Sequence, residues 1–146
     1  MAEVSVEIRE DAPMVLDLDG LDRLIAVLAR DHAVHGPVKR DGAIVFEPIE
    51  GVADLPRGWV DEQDGGHYRL RREGEAVFGY TTTASSWKRL LHPPVQPLWH
   101  STTTEGRLAI SAEPLPEGKQ AFLGLRACDL AAIAVQDKVF LEGPFR

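Results

Sequence analysis

Proline and glycine set the first limit on what this chain can become, because they break it into short segments at regular intervals. Gly36-Pro37, Pro93-Pro94 and Gly143-Pro144 each stop a helix. Proline lacks the N–H that would continue a helix, and it pushes the residue before it out of the helical region. Residues Gly51 to Gly66 are dominated by Gly, Pro, Asp and Glu, with Trp59 as the one large aromatic side chain, and read as a surface loop anchored at one point. A further turn is expected at Pro114-Leu115-Pro116-Glu117-Gly118. No long uninterrupted helix fits between these breaks.

The segments that remain carry both periodicities. Leu21, Leu24, Ile25 and Leu28 recur at helical spacing while Asp22, Arg23 and Arg30 point away, which predicts an amphipathic helix beginning near Asp19. Val38 to Ile49 reads as extended, with Asp41-Gly42 as a tight turn before the strand Ala43-Ile44-Val45-Phe46. Tyr68 to Arg72 and Ala76 to Tyr80 are expected as two strands joined through Glu73-Gly74-Glu75. The hydroxyl-rich run from Thr81 to Ser86 offers helix caps before a short helix at Trp87–Leu91. Leu98–His100 and Arg107–Ser111 are further short strands. The clearest unit is the last: a buried-type strand at Ala121–Leu125, a turn, and a largely apolar helix from Leu130 to Leu141. These signals predict one α/β or α+β domain over residues 1–146, a mixed sheet with an N-terminal helix and a C-terminal strand–turn–helix unit. The length supports one core, and neither a repeat nor a low-complexity tract is present.

Charge narrows the function classes. The chain has 23 acidic and 16 basic side chains, a formal net charge of −7, and no basic block, so nucleic acid is not an expected partner. Glu3, Glu7, Glu10, Asp11, Asp17, Asp19 and Asp22 face a single Arg9 at the start, the reverse of a signal peptide. No apolar stretch approaches the roughly 18–20 residues that cross a bilayer. Together these features predict a soluble cytoplasmic protein without membrane insertion.

Few residues offer chemistry. The single cysteine, Cys128, excludes an internal disulfide and any cysteine-only metal site built from this chain alone. Arg126-Ala127-Cys128-Asp129 lies where strand passes to helix; Asp129 is expected as the N-cap, which puts Cys128 at a helix N-terminus where amide N–H groups and a neighbouring Arg126 favour a thiolate. The alternative is a cysteine that merely packs. Lys88, Arg89 and His92 form the most basic short stretch and suit an anionic cofactor or a partner's carboxylates, or simply a solvated helix face. His32 and His35 lack a third ligand nearby, and Asp61, Glu62 and Asp64 lack calcium-loop spacing. P-loop, Rossmann and Ser/His/Asp signatures are absent.

Three stretches taken together resemble a known family: Gly36-Pro37-Val38 with Asp41-Gly42, Ser86-Trp87-Lys88-Arg89-Leu90-Leu91-His92-Pro93-Pro94, and Gly124-Leu125-Arg126-Ala127-Cys128-Asp129-Leu130. In order and content they resemble the amino-terminal region of 4Fe-4S dicluster proteins, the family of sulfhydrogenase beta subunits and anaerobic sulfite reductase A subunits. The most specific element is Gly-x-Arg-x-Cys-Asp-Leu, with Ala127 where proline is common in relatives. The resemblance implies an electron-relay subunit between a flavin-containing partner and a catalytic subunit, not catalytic by itself, with 4Fe-4S clusters held by ferredoxin-like cysteines further along. It makes Cys128 a candidate metal ligand for an additional cluster, with Lys88, Arg126 and Asp129 as its cofactor-binding neighbours. Two other readings stand beside it: a thiol enzyme with Cys128 as nucleophile, and a subunit-docking domain anchored by Trp59, Trp87 or Trp99.

Overall fold

A computed structural model describes residues 15–81, 83–114 and 118–144. Its framework is an α+β domain. Helix α1 (Leu18–Leu28) starts at Asp17, whose carboxylate accepts the Gly20 N–H at 2.7 Å. Strands β1 (His32–Arg40) and β2 (Ala43–Pro48) form an antiparallel hairpin through Asp41 and Gly42, both at positive φ. β7 (Lys119–Phe122) adds to the other edge of β1 in parallel, giving a mixed three-stranded sheet of order β2-β1-β7. Two separate hairpins, β3 (Trp59–Asp64) with β4 (His67–Arg72) and β5 (Trp99–Thr104) with β6 (Arg107–Ala112), lie outside this sheet. A short helix α2 (Lys88–Leu91) and the terminal helix α3 (Ala127–Phe140) complete the chain.

Both faces of the three-stranded sheet are covered, by different elements. Val34 and Ile49 belong to one face, where they pack with Ile25 of α1 and with Leu55; Leu21, Leu28, Ala121 and Leu123 close around them. Leu24, expected on the same helical stripe, is instead 41% exposed. By strand alternation His35, Pro37, Ile44 and Phe46 project from the opposite face, where Tyr80 and Trp87 are also buried. The His35 and Phe122 rings stack there at 5.6 Å.

Gly36-Pro37 does not end an element, as the sequence suggested; it runs through the middle of β1. The Ile49 N–H bonds the Val34 carbonyl, so in the alternating ladder Val34, Gly36 and Val38 turn their N–H groups toward β2, while His35 and Pro37 face the β7 side. Pairing with β7 stops at His35–Phe122, so the N–H that Pro37 lacks has no ladder partner to lose.

Three further expectations are corrected. Residues 51–66 are not one loop but a 3-10 turn (Val52–Asp54) followed by β3. That strand reads as loop because it is polar on both faces. It is an acidic strand opposite a basic one, Glu62 across from Arg69 and Asp64 across from His67. Its hairpin turn is Gly65-Gly66, and Ala76–Tyr80 forms no strand; the Ala76 carbonyl accepts from the Gly58 N–H at 2.8 Å while the segment crosses over. Finally, α3 begins at Ala127 with Arg126 as N-cap, not at Leu130 with Asp129. Most of the turn expected at 114–118, and the acidic opening residues up to Asp11, lie outside the described residues. Among the described residues no helix is long and apolar enough to cross a membrane.

Candidate functional site

The free edge of β2 organises the site. Ile44 and Phe46 point their backbone groups outward, and an exposed edge of this kind is a template for unwanted pairing. Here side chains and loop take up each group. Ala84 N–H bonds the Ile44 carbonyl at 2.6 Å, the Tyr68 hydroxyl accepts from Ile44 N–H at 3.3 Å, Ser85 Oγ accepts from Phe46 N–H at 2.8 Å, and Arg89 Nη2 donates to the Phe46 carbonyl at 2.6 Å. The hydroxyl run read as a set of helix caps therefore does a different job: it seals a sheet edge. Ser86 behaves as expected, accepting the Lys88 N–H at 3.2 Å.

Sealing the edge carries Trp87 beneath the loop, where it is 2% exposed and its indole N–H donates to Asp129 Oδ1 at 2.9 Å. The other carboxylate oxygen, Oδ2, accepts from the backbone N–H of Arg126 at 3.1 Å, and the Asp129 N–H returns a bond to the Arg126 carbonyl at 3.0 Å. Asp129 is thus the third residue of the helix, reaching back to cap it. The Arg126 guanidinium swings away from the helix, donating Nη2 to the Tyr80 carbonyl at 2.5 Å and lying 5.6 Å from the Tyr80 ring centroid. Burial pushes the Tyr80 hydroxyl up to about 12, against the opposing pull of the Arg126 charge. Gly124, at φ +81°, lets the chain turn from β7 into this position.

The sequence-derived candidates fare differently. Arg126 and Asp129 line a cavity of about 230 Å3 together with Tyr80, Ser85 and Trp87. Cys128 lies between them in the first turn of α3 and is exposed. Lys88 opens α2 and is exposed, but it does not line the cavity. Of the three tryptophans, Trp59 lies under Lys39 at 4.4 Å, Trp87 is buried, and Trp99 is 62% exposed. Tyr80 and Ser85 were not singled out from the sequence as site residues; no local signal marks them, because their roles depend on contacts with residues some 40 positions away. Asp61 is a structural carboxylate: burial alone would raise it, but hydrogen bonds from the Thr81 backbone and the Gln63 side chain hold it below the usual range.

A 4Fe-4S cluster takes about four thiolates. The chain offers one, and among the described residues no three His, Cys, Asp or Glu side chains gather as a metal site. Its own residues therefore do not make a complete cluster site; Cys128 is at most a single ligand. No family model matches the chain, and neither a curated protein nor a solved structure matches it.

Proposed function

We propose that this chain is the amino-terminal domain of an iron–sulfur electron-transfer subunit in a cytoplasmic redox complex of the hydrogenase or sulfite-reductase type, working between flavin-containing and catalytic subunits. In this reading Cys128 contributes one thiolate to a 4Fe-4S cluster whose remaining ligands lie outside these residues. The observation that carries it is an exposed thiol in the first turn of a 14-residue helix whose cap is fixed on both sides, by Asp129 to Trp87 and by Arg126 to Tyr80. Two of the three stretches that carry the family resemblance also meet there, since Trp87 of one bonds Asp129 of another.

The test is iron and acid-labile sulfide analysis of the full-length protein, which carries the remaining ligands, purified anaerobically beside its Cys128→Ala variant. Loss of about one cluster's worth of iron in the variant is the expected result. A wild-type protein without iron, or a variant that keeps all of it, overturns the assignment.

A second reading, a docking domain without cofactor, is favoured by a separate observation. On β5–β6 the side chains of Trp99, Leu108 and Ile110 share one face, and each is more than 60% exposed. A contiguous exposed apolar face marks an interaction surface. The thiol-enzyme reading has less behind it: among the described residues neither an imidazole nor a carboxylate is hydrogen-bonded to Cys128.

A further inference from the structure

Two cavities adjoin at Arg126. The first, about 230 Å3, lies between residues 83–87 and the turn 124–129, against Phe46 and Tyr80. The second, about 360 Å3, is bounded by Phe78 and Leu125 and shares Tyr80, Gly124 and Arg126 with the first. Gly124 matters to both: a Cβ there would stand 3.3 Å from the Tyr80 hydroxyl and 3.2 Å from Phe78, narrowing the junction.

The polar groups left over at this junction are donors. A guanidinium carries five N–H bonds, and Arg126 commits one nitrogen to the Tyr80 carbonyl. Ser85 Oγ accepts from Phe46 N–H and keeps its own proton to donate. The Tyr80 hydroxyl makes no hydrogen bond among the described residues, and burial keeps it protonated. The one carboxylate present, Asp129, already accepts on both oxygens. Donors facing a half-enclosed space select a ligand rich in acceptors. Phe78 and Leu125 on the far side offer an apolar wall for the rest of it.

We propose that the joined cavity is a binding site for a small organic oxyanion, with its carboxylate or phosphate head at Arg126, Tyr80 and Ser85 and an apolar or aromatic body against Phe78. This site shares Arg126 with the iron–sulfur reading but does not require it, because it uses neither the Cys128 thiol nor any ligand from elsewhere.

Isothermal titration calorimetry of the chain with phenyl phosphate, benzoate and inorganic phosphate tests it. Phenyl phosphate or benzoate is expected to bind at one site per chain, and inorganic phosphate about tenfold more weakly for lack of a body. Arg126→Gln removes the charged donor and is expected to weaken binding about tenfold or more; Tyr80→Phe, which removes only an oxygen, about threefold to tenfold. Arg107→Gln, an equal change of charge on the β5–β6 hairpin, is expected to leave binding unaltered. Should Arg126→Gln fail to fold by circular dichroism, Tyr80→Phe decides alone. No binding of either organic probe up to about 10 mM overturns the proposal. So does equal affinity in Tyr80→Phe and wild type, or a loss in Arg107→Gln as large as in Arg126→Gln. Inorganic phosphate binding as tightly as phenyl phosphate overturns the assignment of the apolar subsite.

Discussion

At Gly124 two constraints coincide. The backbone sits at φ +81°, which side chains with a Cβ rarely adopt, and an added methyl would meet Phe78, Pro37 and the Tyr80 hydroxyl within 3.2–3.3 Å. Gly42 shares only the first constraint, at φ +77° with nothing within 4 Å. Gly42→Ala is therefore expected to cost about 1 kcal/mol and Gly124→Ala about 3 kcal/mol. Urea midpoints at unchanged slope would separate the two, and equal losses would mean the Gly124 neighbours yield freely. His35 offers a different residue-scale test. It is buried, its Nδ1 has no hydrogen-bond partner among the described residues, and burial first, then the Arg89 charge, hold its pKa below the ordinary 6.5. The unfolded chain then binds the proton more readily than the folded one. Stability contributed by neutral His35 is complete above about pH 6.5 and declines as pH falls below that value toward the folded pKa. Unfolding measured from pH 8 to pH 5 should show this decline in wild type and a flatter profile in His35→Phe, which keeps a ring against Phe122. Identical profiles would rule His35 out as the titrating group.

Helix α3 shows how a local signal can be right in kind and wrong in position. The strand–turn–helix unit was legible in residues 121–141, because apolar content, the Gly and the capping carboxylate all lie within a few positions. The start slipped by three residues because an acidic residue three places into a helix caps it as well as one just before it. The Trp87 partner of Asp129 was not legible, being 42 positions away. The same limit hid the sealing of β2 by residues 84–89. Because Asp129 caps α3 and also satisfies a buried indole N–H, Asp129→Ala is expected to destabilise by about 2 to 3 kcal/mol, more than a cap alone. In the Trp87→Phe background the same substitution should cost only about 1 kcal/mol. A double-mutant cycle by chemical unfolding checks this; strict additivity would mean the two residues act separately.

Two elements stand out at the scale of the whole chain: β5–β6, every residue of which is exposed, and α3, where no residue is buried and Leu130, Val135, Val139 and Phe140 are all more than half exposed. A two-stranded hairpin is marginal in water without something packed on its apolar side. The face carrying Trp99, Leu108 and Ile110 holds no charge, since Ser101, Thr103 and Ala112 complete it, so an apolar partner meets no ionic group there. If that face docks a neighbouring subunit, Leu108→Ser with Ile110→Ser should leave the stability of the chain itself within about 0.5 kcal/mol, as for other exposed sites, yet weaken assembly with its partners about tenfold or more. Chemical unfolding of the isolated chain and sedimentation of the assembled complex measure the two effects separately. A loss of about 2 kcal/mol or more in the chain alone would instead mean the face packs within it, and unchanged assembly would remove the hairpin from the interface.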